Sequence, residues 1–420
     1  MNQLAVSLDH VWDAVLAVLP QRRWDLDRLR VLLQKEVPPT VTVVGKYNHG
    51  KSRLLNELMG SDIFNVADRR ETIALAEHVH EGVRWLDAPG LYADVALQDD
   101  ALAREALGLQ ADIRLFVHAA KEGELDALES SLLQELAADH QRSRRQTLLV
   151  ISQIDQLADE QQQEKVLDSI AQQCPGCLLH PVSSTRYRQG RDGGKPRMLE
   201  KSGIPALQAS LEAALKRVPQ AREFERDALL TELTQELSAL QQMQEQSLHS
   251  LQQTQRQQHI DFVEGLRKVL EGIEKDLEPL VNAAGVDHSL VPDTAEFGFK
   301  MTAGKQERAR LQIAYSRACI AINSHLVEYG AVGLPAAQRT SVRSMDTVMI
   351  AVMGVSVKYR ADLRRIFCEQ AGRDKLVQDF THYFEISEGR RALEAQIETS
   401  QKQLQQTRQA LEELALLEGV

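Results

Sequence analysis

Short runs of apolar residues alternate with longer helical periods between residues 41 and about 217. The runs predict strands at 41–44, 74–80, 83–87, 112–118, 146–152 and 177–182. The intervening periods predict helices near 51–59, 97–108, 123–139, 156–172 and 203–216. Glu81-Gly82 separates the second and third strands by a tight turn, which predicts an antiparallel hairpin at one edge. The alternation is typical of a doubly wound, mostly parallel α/β sheet.

Apolar residues at helical spacing continue outside this region. Residues 4–36 predict two helices with Pro20 between them. Beyond about residue 219 the period is helical almost to the end, and two stretches follow a heptad: Leu230, Leu233, Leu237 and Leu240, then Ile397, Leu404, Leu411 and Leu414. The Gln-rich segment 241–258 loses most of this seam. The pattern predicts an all-α, elongated helical bundle with a tip or hinge near 282–304.

These patterns predict three parts. Residues 1–38 form N-terminal helices that pack on the helical region, residues 39–218 form the α/β domain, and residues 219–420 form the helical bundle or stalk. The stretch Tyr187 to Gly203 is rich in Gly, Arg and Lys, which predicts a mobile loop.

Composition narrows the possible functions. The chain of 420 residues is 43% hydrophobic and 26% charged, as in soluble globular proteins. Its net charge of −11 argues against a general nucleic-acid binder, because phosphate neutralisation needs a basic surface. We expect a cytoplasmic protein, since no signal peptide or spanning run is visible and the 4 cysteines form no disulfide framework. Cys174-Pro-Gly-Cys177 is either a plain turn or a dithiol, and its position before a strand favours the turn.

The first candidate site follows the first strand. Gly45, Gly50, Lys51 and Ser52 fit the pattern G-x-x-x-x-G-K-[ST], between a predicted strand and a predicted helix. Glycines are needed because successive backbone N–H groups and a helix N-terminus must wrap a polyanion. Lys51 would place a positive charge at the β- and γ-phosphates, and the Ser52 hydroxyl would ligate Mg²⁺. The sequence therefore predicts a phosphate-binding loop.

A second motif, Asp87-Ala-Pro-Gly90, follows the third strand. An aspartate here would hold Mg²⁺, and the backbone N–H of Gly90 would reach the γ-phosphate. In the preceding loop, Thr72 would complete the Mg²⁺ shell and position the attacking water. The alternative for Thr72 is an ordinary residue that opens the next strand.

Two further motifs concern the base of the nucleotide. Ser152-Gln153-Ile-Asp155 follows the fifth strand, where the carboxylate of Asp155 can accept hydrogen bonds from guanine. Ser183 and Ser184 follow the last strand, where a backbone N–H can contact the guanine carbonyl. All these motifs lie at the carboxyl ends of predicted strands, so they converge on one crevice.

The motifs resemble those of translation-factor-type GTPases. The stretch from Gly45 to Asn56 closely resembles the phosphate loop of bacterial dynamin-like proteins, and the helical flanks match that family's layout. The resemblance implies binding of GTP/GDP with Mg²⁺ and hydrolysis of GTP to GDP and phosphate. It also places His49 and Arg53, within and just after the loop, among the nucleotide-binding residues.

Two residues depart from the usual motifs. Gln153 stands where the base motif usually carries lysine, which leaves the preference for GTP over ATP open. Leu91 stands where Ras-like enzymes carry a catalytic glutamine, and an apolar side chain cannot orient water. By resemblance to dynamins and to potassium-activated GTPases, K⁺ near Asn48 would supply the missing charge. The alternative is that Asn48 only stabilises the loop.

The resemblance also implies how such a protein works. Basal turnover is slow and is stimulated by self-association through the G domains. Arg69 and Arg70 are candidates for contacts between copies, the alternative being a solvated charge pair. The helical region is expected to hold a protein partner. Peripheral attachment to a membrane, through Val348 to Val357 or Phe297 to Met301, is the alternative to buried core for those two stretches.

Three functions remain in competition. The first is a dynamin-like switch in which the nucleotide state moves or assembles a helical arm. The second is a GTP-dependent scaffold, a timer for a protein complex without membrane remodelling. The third, an RNA- or ribosome-maturation GTPase, lacks an evident RNA-binding appendage and has the wrong overall charge.

Overall fold

The computed structural model describes residues 2–34, 36–64, 76–88, 105–291, 301–354 and 357–419 of the chain. By compactness the chain forms two units. The first contains residues 1–238 and 409–420, and the second contains residues 239–408. The predicted boundaries at 38/39 and 218/219 remain predictions, because this division falls at other positions.

A six-stranded sheet forms the centre of the first unit. Its strands are β1 (Thr40–Val44), β2 (Ala76–His80), β3 (Val83–Asp87), β4 (Ile113–Ala119), β5 (Gln146–Ser152) and β6 (Leu179–Pro181). They lie in the order β2-β3-β1-β4-β5-β6, and all neighbours are parallel except the pair β2 and β3. Every residue of β1 and β4 is buried, as expected for central strands covered on both faces. The predicted fold class and edge hairpin are confirmed.

Helices cover both faces of this sheet. Those that follow the strands are Lys51–Met59, Ala127–Ser143, Glu160–Gln173 and Ile204–Leu215. Leu54, Leu55 and Leu207 pack with one face of the sheet, and Leu132 and Ile170 pack with the other. The sheet is therefore the doubly wound type that the alternation predicts.

The predicted loop from Tyr187 to Gly203 is wrong, because this segment forms the helices Ser184–Asp192 and Pro196–Lys201. Arg188 of the first helix lies 2.7 Å from the carboxylate of Glu57, which is buried in the helix Lys51–Met59. Arg191 lies 3.4 Å from the same carboxylate. The arginines that suggested solvent exposure instead pair with a buried acid.

The N-terminal segment forms the two predicted helices, Asn2–Val18 and Arg23–Leu32. Arg22, between them, pairs with Glu232 and Glu236 of the long helix Val218–Val281, each at 3.0 Å. Arg28 reaches both Asp112, next to β4, and Glu225 of the long helix. The N-terminal helices thus contact the sheet as well as the start of the long helix.

The second unit is helical. Its helices after the long one are Ala303–Glu328, Val348–Met353, Arg360–Leu363, Gln370–Glu385 and Glu388–Ala415, the last of which begins here and ends in the first unit. Phe262 stacks on Phe384 with ring centroids 4.2 Å apart, within a core that also contains Leu311 and Phe380. The predicted helical region is confirmed.

The segments predicted to touch lipid are only partly described. Helix Val218–Val281 ends and helix Ala303–Glu328 begins around the predicted tip, and Phe297 and Phe299 lie outside the described residues. Val348 is fully buried, whereas Ile350 of the same short helix is 38% exposed. Within the described ranges, no helix is long and apolar enough to cross a bilayer.

Cys174 and Cys177 are joined by a disulfide in the predicted turn.

Candidate nucleotide-binding site

The loop between β1 and the helix Lys51–Met59 has the backbone that a phosphate-binding loop requires. A Cβ atom on Gly45 would lie 2.2 Å from the carbonyl oxygen of Val117 in β4, so only glycine fits there. Gly50 has φ 80° and directly precedes the helix, a left-handed conformation that favours glycine. The free N–H groups of the first helical turn therefore point to the crevice at the carboxyl end of the sheet.

Lys51, Ser52 and Asp87 meet at this crevice because the parallel register places Asp87 of β3 beside Val43 of β1. The Lys51 ammonium donates to the carbonyl oxygens of Gly45 at 3.0 Å and Lys46 at 2.9 Å. The Ser52 hydroxyl donates to Asp87 Oδ2 at 2.6 Å. The second carboxylate oxygen, Oδ1, is buried without a hydrogen-bond partner among the described residues.

The electrostatics of these groups favour a charged ligand. Burial lowers the pKa of Lys51 to about 8, and the nearby Asp87 only partly opposes this shift. Burial also raises the pKa of Asp87 above its ordinary value, with the Ser52 hydrogen bond and Lys51 acting against it. A polyphosphate would stabilise the charge on Lys51, and a divalent cation would stabilise the charge on Asp87 and bind the carboxylate oxygen that has no partner among the described residues. The residues therefore fit a nucleotide with Mg²⁺.

The base motif is joined to the phosphate loop. Gln153 follows β5 with φ 59°, and its side-chain Nε2 donates to the backbone carbonyl of Asn48 at 2.7 Å. Asn48 itself has φ 61°. Gln153 thus acts on the loop backbone, a role that sequence reasoning missed when it considered only the face of the base. Asp155 is half-buried in the short helical turn Ile154–Gln156, beside the end of β6.

Ser183 and Ser184 lie at the end of β6, next to this turn, because Ile154 N donates to the Val182 carbonyl at 3.3 Å. The backbone N–H of Ser183 donates to the Ser202 carbonyl at 2.8 Å. Its hydroxyl accepts from Arg186 N at 3.0 Å and caps the helix Ser184–Asp192. The backbone N–H of Ser184, in the first turn of that helix, is therefore the better candidate for a contact with the base.

The remaining predicted residues divide into two groups. His49 is fully buried behind the loop, with Nδ1 3.0 Å from the Val117 carbonyl, so only its backbone can face phosphate. Arg53 is half-buried in the first turn of the helix Lys51–Met59. Thr72, Gly90 and Leu91, together with Arg69 and Arg70, lie outside the described residues.

One feature of the site has no local sequence motif. Lys46, the second residue of the loop, places its ammonium 2.5 Å from Asp126 and 3.5 Å from Glu129 at the start of the helix Ala127–Ser143. The Ser152 hydroxyl lies 2.6 Å from the His49 carbonyl oxygen. The loop is therefore held from behind by residues that follow β4 and by the last residue of β5.

Comparison with known proteins agrees with the nucleotide-binding fold. Residues 40–153 match the family model described as 50S ribosome-binding GTPase, so the domain is a GTPase domain, which implies binding of a guanine nucleotide. An uncharacterized protein of Acinetobacter baylyi is 54% identical over 391 residues, which cover 93% of each chain. GTPase Era of Bordetella petrii is 28% identical over 155 residues, or 36% of this chain and 51% of Era.

Among solved structures, that of an oligomerised bacterial dynamin pair aligns with 98% of this chain, and the alignment covers 80% of the dynamin chain. Its sequence identity is 14% and its TM-score is 0.38.

Proposed function

We propose that this chain, which belongs to the family of the Acinetobacter baylyi protein and carries a GTPase domain, is a dynamin-like GTPase that couples its nucleotide state to movement or assembly of the helical region. The observation that carries the proposal is the meeting of Lys51, Ser52 and Asp87 at the carboxyl end of the sheet. The layout of helices before and after the GTPase domain supports the dynamin-like part, as does the likeness of the phosphate loop to that family.

In the proposed site, Gly45 to Ser52 wrap the phosphates with backbone N–H groups, and Lys51 places its charge on them. Ser52, Asp87 and Thr72 hold Mg²⁺, which when bound neutralises the charge that develops on the phosphates. Asp155 and the Ser184 amide read the base, while Gln153 fixes the loop at Asn48. Gly90 binds the γ-phosphate through its backbone, so loss of that phosphate frees the following segment.

Nucleotide binding to the purified full-length protein tests the site. We expect fluorescent GDP to bind in the presence of Mg²⁺, and Lys51→Ala to weaken it by at least about 100-fold because a buried charge-assisted contact is lost. Asp155→Ala should weaken GDP binding while leaving ATP binding unchanged. The exposed Glu164 gives a matched control, since Glu164→Ala removes a carboxylate from the neighbouring helix Glu160–Gln173. Equal binding of GTP and ATP by the wild type would contradict the assignment of Asp155.

The alternative is a GTP-dependent scaffold in which slow hydrolysis acts as a timer. The turnover number, measured against protein concentration, separates the two. We expect it to rise with concentration, because a second copy completes the site in an assembly-stimulated GTPase. A turnover number that is independent of concentration would favour the timer.

We also propose that a monovalent cation near Asn48 supplies the charge that Leu91 cannot. Asn48 lies in the phosphate loop with φ 61°, and its carbonyl oxygen accepts from Gln153, so the backbone is held at this position. Replacing K⁺ by a bulkier cation at constant ionic strength should lower the turnover number, and Asn48→Ala should remove that dependence. An unchanged rate in the wild type would overturn the proposal.

We also propose that attachment to a lipid surface uses exposed apolar residues of the second unit. Met301 is 67% exposed and Leu290 is 64% exposed, near the predicted tip. Co-sedimentation with anionic liposomes tests this, with Met301→Glu expected to lower the bound fraction. Met243→Glu, at another site that is 60% exposed, is the control, and equal loss in both variants would show that the tip is not the contact.

A further inference from the structure

Two histidines and a glutamate form a buried cluster directly behind the phosphate loop. His49 belongs to the loop, His118 lies in β4, and Glu129 lies in the first turn of the helix Ala127–Ser143, with exposed fractions of 0%, 0% and 1%. Glu129 Oε1 lies 3.0 Å from His118 Nδ1 and 3.7 Å from His49 Nδ1. Neighbouring ligand atoms around a tetrahedral ion with bonds of 2.0–2.1 Å are about 3.3 Å apart. The two spacings bracket this value, and the three ligand atoms lie within 4.8 Å of one another.

We propose that His49 Nδ1, His118 Nδ1 and a carboxylate oxygen of Glu129 bind one divalent transition-metal ion, distinct from the Mg²⁺ of the nucleotide. Imidazole nitrogens with a carboxylate are a ligand set that suits Zn²⁺. The Val117 carbonyl oxygen, 3.0 Å from His49 Nδ1, is placed to complete the coordination.

The second nitrogen of each histidine ring faces an oxygen atom, and that of His118 makes a hydrogen bond. His118 Nε2 lies 3.0 Å from the Gly123 carbonyl oxygen, and His49 Nε2 lies 3.0 Å from a carboxylate oxygen of Glu122. Metal-binding histidines characteristically direct this N–H to a carbonyl or a carboxylate, which fixes the tautomer and aims the other nitrogen at the ion. In His118 this leaves Nδ1 for the metal, and in His49 Nδ1 is the nitrogen that lies 3.7 Å from Glu129.

The backbone also holds the two ligands at a fixed distance. The Ser152 hydroxyl lies 2.6 Å from the His49 carbonyl oxygen and 3.2 Å from the His118 carbonyl oxygen. One side chain of β5 thus holds the phosphate loop against β4 at the two histidines.

Among the described residues, the side chains around the cluster carry more negative than positive charge, although Glu122 and Asp126 are partly exposed. With neutral histidines, Lys46 and the carboxylates of Glu122, Asp126 and Glu129 leave a net charge of −2. A divalent ion would balance this charge.

Zinc titration of the full-length protein tests the proposal. We expect one Zn²⁺ per chain by calorimetry in excess Mg²⁺, with binding that weakens as the pH falls because ligands must lose protons. Glu129→Gln should weaken Zn²⁺ binding by more than about 10-fold, and Glu122→Gln by about 10-fold through loss of the orienting contact. His180→Asn is the matched control, since His180 is another buried histidine of the sheet, in β6, and should leave Zn²⁺ binding unchanged.

A spectroscopic experiment identifies His118 as a metal ligand without relying on loss of metal binding. Bound Co²⁺ has visible absorption that reports its coordination, and His118→Cys should add a thiolate-to-Co²⁺ charge-transfer band. Absence of that band in a folded variant, or a wild type that takes up no Zn²⁺ beyond the Mg²⁺ site, would overturn the proposal. Full Zn²⁺ affinity in Glu129→Gln would do so as well.

Any effect of the ion on nucleotide affinity rests on the proposed function, whereas zinc uptake does not. Normal GTP hydrolysis without zinc uptake would reject the metal site alone. Zinc uptake by a protein that binds no nucleotide would reject the proposed function alone. Circular dichroism of each variant separates loss of a ligand from loss of folding.

Discussion

The two ends of the β-sheet treat buried charge in opposite ways. At the carboxyl end, Lys51 contacts backbone carbonyls, and one oxygen of Asp87 has no hydrogen-bond partner among the described residues. Burial lowers the pKa of Lys51 and raises the pKa of Asp87, so the neutral form of each is favoured more than in water. At the other end, Asp112 accepts from Arg28, Arg222 and the Thr40 amide. Burial there would raise the pKa of Asp112, but these donors hold it below its ordinary value.

Arg28 shows the same contrast from the cationic side. Burial opposes its charge, yet Glu225 and Asp112 raise its pKa. Arg145 is an exception within this end, since burial and the charge of Arg114 lower its pKa to about 9. Charges that hold structure are satisfied within the chain, whereas charges that await a ligand are left short of partners.

The largest change in stability should come from Asp112, at the end of the sheet where buried charges are paired. Asp112→Ala removes the shared buried partner of Arg28 and Arg222, which leaves Arg28 with the Glu225 carboxylate and Arg222 with backbone carbonyls. We expect the free energy of unfolding to fall by about 3–5 kcal/mol, measured by urea denaturation. A loss below about 1 kcal/mol would show that water replaces the carboxylate and would remove the contrast.

At the carboxyl end of the sheet, removing a buried charge should raise the free energy of unfolding instead of lowering it. Lys51→Met should stabilise the nucleotide-free protein at pH 7, by up to about 3 kcal/mol, because it removes a buried charge whose burial Asp87 only partly offsets. The pKa of Lys51 is about 8 in the folded protein and is higher in the unfolded chain, so the penalty is complete below pH 8.

This penalty must decline as the pH rises. Above pH 8 the folded protein releases the Lys51 proton while the unfolded chain still holds it, so the wild type gains stability relative to Lys51→Met up to about pH 10. Thermal unfolding of both proteins between pH 7 and pH 10 measures the gap. A constant gap would mean that Lys51 does not titrate in this range.

A smaller effect, on GDP binding, is expected at Gln153, where the base motif contacts the phosphate loop. Gln153→Ala removes the hydrogen bond to the Asn48 carbonyl and should weaken GDP binding about fivefold, or about 1 kcal/mol. Gln153→Lys keeps a donor at this position and should retain most of the affinity. Equal losses in the two variants would argue that the amide acts on the base instead of the loop.

The smallest effect should occur at the surface. Glu236 pairs with Arg22 at 3.0 Å, but its side chain is 38% exposed. Glu236→Ala should therefore change the free energy of unfolding by less than about 1 kcal/mol. Both variants remove a carboxylate that pairs with arginine, but only Asp112 is buried. The difference between their free energies of unfolding therefore measures the effect of burial.

The sequence predicted what local pattern encodes. Apolar runs predicted the strands, and Glu81-Gly82, with φ of 47° and 75°, predicted the hairpin because both residues accept left-handed backbone. The helix Ser184–Asp192 escaped prediction, because its polar residues are stabilised by the distant Glu57. The pairing of Arg28 with Asp112 and Glu225 likewise joins positions that only the folded chain brings together.

The same distinction applies to the site. Lys51, Ser52 and Asp87 were predictable because their motif fixes both spacing and chemistry, and the structure brings them together. The contact of Gln153 with Asn48 was not, since the motif suggested only the base. The cluster of His49, His118 and Glu129 has no recognisable spacing, and strand order alone makes these residues neighbours.

The pairing of Glu57 with Arg188 and Arg191 has a mechanical consequence. It ties the helix that begins at Lys51 to the helix that begins at Ser184, whose N-termini are proposed to hold the phosphates and the base. Under the proposed function, the distance between those two subsites should therefore change little when the nucleotide changes. The proposed motion would then arise in segments that this tie does not include.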